Sequence, residues 1–294
     1  MNTNSTASTH SIQSYFHDDT STFTHVLTDI ATGQCAIIDP VLDYDAKSGR
    51  TSTDFIDQVL AVIAESASTL VYVFETHAHA DHVTSAAYIR QRTGAKIVIG
   101  QQITGIQHTF AGIFNESERF PTDGSQFDVL LAAGEEITLG KTHVRAIATP
   151  GHTPACVTYL VDDTDAFIGD TLFMPDTGTA RCDFPGGDAN ALYDSVQTLF
   201  ALGDDVNLHL CHDYPPTDRA VCSVVTVAEQ KAKNIHVGNK QTRDSFIELR
   251  TQRDAGLAVP RLILPSLQVN IRAGDFPAPE DNGVSYLKIP LNKI

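Results

Sequence analysis

The sequence predicts an α/β chain folded as an αββα sandwich, two mixed sheets face to face with helices on both outer sides. Two observations predict it. Short β-branched apolar runs and hairpins alternate with helix-periodic segments, and they do so in two halves of the chain. Several of the buried runs also end in polar, metal-capable side chains, the place where α/β proteins carry their chemistry.

Residues 15–28 and 34–38 read as a hairpin that Asp39-Pro40 stops. Residues 54–65 form an amphipathic helix with Phe55, Ile56, Val59, Leu60, Val62 and Ile63 at spacings of three and four, and Asp54 is its expected N-cap. Leu70–Phe74 is a buried strand, 83–92 a helix closed by Gly94, and 96–99 a further strand. Residues 101–128 read as an insertion with little regular structure and no assigned role. Residues 129–131 and 136–139 are short apolar pieces flanking Gly134; short strands are expected over 144–148, 156–161, 166–168 and 207–211, with a helix over 189–202. The chain then turns helical over 221–232 and 244–253. Residues 260–264 and 286–291 look extended. Met1–Ser11 is expected to be a frayed leader, and 12–294 a single domain whose end, from residue 215, is a helical extension and strap.

Composition narrows the function. The chain has 294 residues, 42% of them hydrophobic, so a full core is attainable and wholesale disorder is excluded. A formal net charge of -16 argues against nucleic acid and anionic membrane as partners. The sequence contains no apolar stretch of membrane-spanning length. Five cysteines without a C-x-x-C pair fit reduced thiols in a cytoplasm, so a cytoplasmic location is expected.

The strand at 70–74 opens into THAHADH, which packs His77, His79, Asp81 and His82 into six residues. Neutral imidazoles and carboxylates are what zinc and iron bind. The bland alternative, a hydrogen-bonded polar loop, does not account for three further strand ends. Those deliver His152, Asp170 and His212 from PGHT, GD and CHDY.

THAHADH, PGHT, GD and CHDY in this order resemble the metallo-β-lactamase fold hydrolases and oxygenases. Within that superfamily the chain is most similar to the persulfide dioxygenases, also called sulfur dioxygenases, of the ethylmalonic encephalopathy protein type. The bacterial β-lactamase-hydrolase-like branch fits best. IIDPVLDYD at 37–45, TPGHTPACVTYLV at 149–161, GTARCDFPGGD at 178–188 and LPSLQVNIRAG at 264–274 carry that likeness.

The resemblance implies one iron(II) per chain on His77, His152 and Asp170, the facial set of two histidines and a carboxylate. It places His79, Asp81, His82 and His212 either around that iron or as ligands of a second metal. Arg181, Asp183 and Tyr214 would meet the substrate, Arg181 through a fork on a glutathione carboxylate. Asp81 and Tyr214 would be catalytic. Cys182 reads as a small loop residue. The implied reactants are glutathione persulfide and dioxygen, giving sulfite and glutathione, and a homo-oligomer (dimer or tetramer) is expected. The alternative enzyme is a glyoxalase II-like two-metal hydrolase of glutathione thioesters, with zinc; the non-enzymatic alternative is a metal or persulfide sensor.

Overall fold

The computed structural model describes residues 8–116 and 120–293. The first half of the chain contributes β1 (His10–His17), β2 (Thr22–Asp29), β3 (Gln34–Ile38), β4 (Val41–Asp45), β5 (Arg50–Ser52), α1 (Asp54–Glu65), β6 (Thr69–Phe74), β7 (Val83–Thr84), α2 (Ala86–Thr93), β8 (Lys96–Gly100), α3 (Ile103–Ile113) and β9 (Val129–Leu131). The second half adds β10 (Glu136–Leu139), β11 (Thr142–Ala148), β12 (Val157–Val161), β13 (Asp165–Phe167), α4 (Ala189–Phe200), β14 (Asn207–His209), β15 (Val224–Thr226), α5 (Val227–Lys233), α6 (Arg243–Asp254) and α7 (Ile263–Asn270).

Each half builds one six-stranded sheet, in the orders β1-β2-β3-β6-β8-β9 and β10-β11-β12-β13-β14-β15. Both are mixed: β3, β6, β8 and β9 pair in parallel, as do β13 and β14, and the other neighbours are antiparallel. The side-chain period of two splits each strand between two cores. Ala36 and Ile38 face Val144, Tyr159 and Phe167 between the sheets. Ile37 and Val73 face outward onto Val59 of α1, Ile89 of α2 and Phe110 of α3. On the far side, Leu160 and Leu208 pack on Leu192 and Val196 of α4 and Phe246 of α6. The result is the predicted αββα layering.

Several local expectations change. The arm expected over 15–28 is two strands, since Ser21 takes a positive φ of 54° and turns β1 back onto β2. His10 and Ser11, expected in a frayed leader, pair with Asp29 and Thr28; residues 1–7 of that leader lie outside the described residues. Thr53, not Asp54, occupies the N-cap of α1, and its hydroxyl bonds the Asp57 carboxylate at 2.8 Å. Gly94 closes α2 in the left-handed conformation, as expected.

Helices α3 and α7 differ from the reading: α3 lies in the segment read as irregular, and α7 begins within the stretch 260–264 read as extended. Within 101–128, α3 buries Ile103, Ile106, Gln107 and Phe110 on one face. At 263–270, α7 buries Leu267 and five neighbours. Conversely, 221–232 starts as strand β15 before α5. Among the described residues no helix is long and apolar enough to cross a membrane.

Candidate metal centre

Four strand ends converge at one rim of the sandwich. The loop after β6 carries His77, His79, Asp81 and His82, the turn after β11 carries His152, the turn after β13 carries Asp170, and β14 leads into His212. Two of the approaches depend on glycine. A Cβ on Gly151 (φ 140°) would stand 2.3 Å from the backbone of Leu192 in α4. One on Gly169 (φ 50°) would stand 2.7 Å from Thr76 Oγ1. Only glycine lets the His152 and Asp170 turns close this tightly.

The ligand atoms of His77, His152 and Asp170 lie within 4.8 Å of one another, and so do those of His79, Asp81, His82 and His212. Asp170 stands between the groups: Oδ2 is 3.8 Å from His77 Nε2 and 3.7 Å from His152 Nε2, and Oδ1 is 3.6 Å from His212 Nε2. His212 Nε2 is 3.0 Å from Asp81 Oδ2, off the line of a hydrogen bond. These residues are buried, apart from Asp81, which is partly exposed.

The hydrogen bonds decide which ring nitrogens are available. His152 Nδ1 donates to the Arg181 carbonyl at 2.8 Å, and His212 Nδ1 to the Ser21 carbonyl at 3.1 Å. A carbonyl can only accept, so the proton sits on Nδ1 and the Nε2 lone pair faces the centre. His79 is reversed: Nε2 donates to the Asp39 carboxylate at 3.0 Å, leaving Nδ1. The atoms thus left, His77 Nε2, His79 Nδ1, both nitrogens of His82, His212 Nε2 and Asp170 Oδ1, are buried without a hydrogen-bond partner. Orphaned polar atoms in this number are costly in a metal-free protein, and the acceptors among them are the atoms a metal needs.

Electrostatics agrees. Burial, reinforced by neighbouring imidazoles, holds His77 and His79 well below the ordinary histidine range, so both imidazoles are neutral. Burial opposes charge on His212, but the Asp81 and Asp170 carboxylates outweigh it and raise that imidazole. The donor set therefore fits a metal ion.

Asp39 organises the loop beneath the ligands. Its carboxylate accepts from Thr76 N at 2.8 Å, from the Thr76 hydroxyl at 2.9 Å and from His79. Asn270 of α7 holds the same loop from the other side. Neither is legible in the sequence as a site residue: Asp39-Pro40 reads as a strand stop, and Asn270 is a single amide in a tail.

Above the ligands lies a cavity of about 500 Å³ whose lining includes Asp81, His152 and Asp170. Phe173, Phe184 and Tyr214 wall it. Tyr214 stacks on the His212 ring (7° between planes, centroids 5.8 Å), and Phe184 meets His152 edge-on at 5.3 Å.

Arg181 also lines the cavity, but its fork is occupied. Nε and Nη2 bind both oxygens of Asp183 at 2.6 and 2.7 Å, and Nη1 donates to the Ala258 carbonyl at 2.6 Å. In this structure the guanidinium braces this loop to the tail, with Asp183 as its partner. Two arginines of the tail, Arg253 and Arg261, line the cavity and are exposed. Arg261 makes one hydrogen bond, at 3.2 Å to the Asp19 carbonyl. Burial pushes the Cys182 thiol up to about 12, consistent with a small packing residue and not a reactive thiolate.

Residues 18–212, which include every candidate ligand, match the sequence model of the Metallo-beta-lactamase superfamily. The chain belongs to that superfamily. Among curated relatives, a probable metallo-hydrolase of Burkholderia pseudomallei is 49% identical, covering 96% of this chain and 99% of its own length. Glyoxylase B2 of Dictyostelium discoideum is 48% identical over 92% of both chains. The mitochondrial persulfide dioxygenase ETHE1 of Homo sapiens is 28% identical, covering 90% of this chain and 88% of its own. Among solved structures, ETHE1 from Myxococcus xanthus aligns with a TM-score of 0.71 at 32% identity, over 90% of this chain and all of that one. The superfamily fold and a metal-binding His/Asp cluster are thus common ground.

Proposed function

We propose that the chain is an iron-dependent persulfide dioxygenase that oxidises glutathione persulfide to sulfite and glutathione. The observation that carries the reading is the triplet of His77, His152 and Asp170. Two imidazoles and one carboxylate gather where His152 and Asp170 line the cavity, a ligand set that leaves coordination positions free. The likeness to proteins named persulfide dioxygenase or ETHE1 supports the same choice. The reaction balances as persulfide plus dioxygen plus water giving thiol, sulfite and two protons.

Iron(II) held by the triplet would supply the redox chemistry that dioxygen needs to react with a sulfane sulfur. The chain supplies the rest. The Nδ1 hydrogen bonds of His152 and His212 fix the ring planes before anything binds. Phe173, Phe184 and Tyr214 present an apolar wall to a soft sulfur and limit water. The exposed guanidinium groups of Arg253 and Arg261 offer the cavity's rim to the carboxylates of a glutathione moiety. The Arg181–Asp183 brace holds Phe184 in place, with the guanidinium carbon 5.0 Å from the ring centroid.

A second reading has its own observation. His79 Nδ1, His82 Nε2 and His212 Nε2 are orphaned like His77 Nε2 and Asp170 Oδ1, as ligands of a second metal would be. With two metals the site would suit hydrolysis of a glutathione thioester, and the likeness to a protein named glyoxylase supports that alternative. One preparation tests both: oxygen uptake and sulfite release with glutathione persulfide, and thioester cleavage with S-lactoylglutathione under anaerobic conditions. Rapid anaerobic cleavage without oxygen uptake on persulfide would replace the dioxygenase reading with the hydrolase.

A further inference from the structure

The loop from Glu75 to Thr84 carries four candidate ligands. Its flank is gripped by a residue almost two hundred positions later. The buried side chain of Asn270, at the end of α7, donates through Nδ2 to the His79 carbonyl and the His82 carbonyl, both at 2.8 Å. Its Oδ1 accepts from Thr84 N at 2.9 Å. Both amide protons and the amide oxygen are thus spent on one turn, and the two carbonyls flank Asp81 on either side. A primary amide supplies two donors and an acceptor in one plane, a combination no other side chain of that length offers.

The helix that presents Asn270 is itself anchored. Leu267 and Ile271 pack with Ile106 and Phe110 of α3 in the outer core. Gln107 of α3 donates to the Ile271 carbonyl at 2.9 Å, and Arg272 pairs with Glu116 at 2.7 Å. The 101–128 segment and the tail therefore form one buttress behind the metal loop. Both Asn270 and α7 lie beyond residues 18–212, the part matched to the superfamily model.

We propose that Asn270 is a positioning residue of the metal centre. By fixing the His79 and His82 carbonyls against the Thr84 amide, it sets the spacing at which His79, Asp81 and His82 present their ligand atoms. The inference rests on the candidate metal centre and not on the reaction: with two metals Asn270 places ligands of the second ion, and with one it places the side chains around that ion. Its failure is therefore distinguishable from failure of the proposed reaction. A residue that merely fastens the tail would predict lost stability with the metal site unchanged.

The test uses the full chain loaded with cobalt(II), whose visible spectrum reports ligand geometry. Asn270→Asp keeps the shape and the Oδ1 acceptor but sets an anion against two carbonyls; Asn270→Ser removes the grip and leaves the helix intact. Gln268→Ala is the control. It cuts a comparable buried amide of the same helix, which bonds Lys288 of the tail and not the metal loop. Cobalt affinity, measured by competition with a chelator, should fall about 10- to 100-fold in both Asn270 variants. Their cobalt spectra should shift, while Gln268→Ala loses melting temperature alone. Asn270 variants with wild-type affinity and spectrum, or an equal loss of affinity in Gln268→Ala, would overturn the proposal.

Discussion

Replacing Asp170 by asparagine should stabilise the metal-free protein and abolish its response to metal. Asp170 is 5% exposed, and its Oδ1 has no hydrogen-bond partner. Burial raises its carboxyl above the ordinary range, and Asp81 adds to the effect. The imidazole that could neutralise it, His212, stands nearer to Asp81 (3.0 Å) than to Asp170 (3.6 Å), so in the absence of metal Asp170 is the surplus negative charge. An uncompensated buried polar group costs roughly 1–3 kcal/mol, and a chain of this size gains about 2–4 °C in melting temperature per kcal/mol. Asp170→Asn should therefore raise the melting temperature of chelator-treated protein by about 2–12 °C. Metal at a hundred times its dissociation constant stabilises the wild type by about 2.7 kcal/mol, whereas the variant should not respond. The two curves then cross: the variant melts higher without metal and lower than loaded wild type with it. Calorimetry with and without chelator reads both. A lower melting temperature for metal-free Asp170→Asn would refute the surplus-charge argument. A retained metal response would remove Asp170 from the ligands.

Metal analysis of His77→Ala should show lost metal with the far-ultraviolet spectrum unchanged. His212→Ala should retain most metal but little oxygenase activity, and equal metal loss in both would favour the two-metal reading. Arg261→Ala should raise KM for glutathione persulfide about fivefold with kcat kept, because an exposed charge pair is worth about 1 kcal/mol. Arg181→Ala should instead lower kcat, since it releases the brace onto Asp183 and the Ala258 carbonyl; a pure KM effect there would restore Arg181 as the substrate contact. Far from the metal centre, His10 of β1 meets Asp165 of β13 at 3.1 Å and ties the two sheets. The hydrogen bond to Asp165 raises His10; bonds from His10 and His209 outweigh burial and hold Asp165 well below its ordinary value. Stability from His10 is present below about pH 6.5 and lost as pH rises through its higher folded value, and that from Asp165 is lost as pH falls below about 3.9. His10→Ala should thus cost about 1–2 kcal/mol in urea unfolding near pH 5.5 and clearly less near pH 9; equal costs would show that the contact is packing alone.

What the sequence makes legible here is local, and what it hides is tertiary. The ligand candidates can be read because each closes a short apolar strand, so a polar side chain there has no other duty. The sandwich can be read because Ala36, Ile37 and Ile38 alternate between two cores while α1 keeps a period near 3.6. Helix α3 escapes because Gly105, Gly112 and several β-branched residues give it poor intrinsic propensity, which burial of Ile106 and Phe110 overrides. Helix α7 escapes because Pro265 looks like a breaker; it sits in the first turn, where its missing N–H leaves no bond unmade.

The same division runs through the metal centre. Its ligands come from short motifs, but Asp39, Asn270 and the Arg181 carbonyl that orient them come from positions dozens to nearly two hundred residues away. Arg181 shows the consequence most clearly. Its residue type suggests a carboxylate partner, and it has one, but that partner is Asp183, two residues along. Ligand types alone allow either one metal or two. On the proposal above, the choice between them would turn on how His79, Asp81 and His82 are set relative to Asp170, which Asn270 and Asp39 would govern through their bonds to this loop. Substitutions at Asn270 should move metal number and spectrum before they touch any residue that meets substrate.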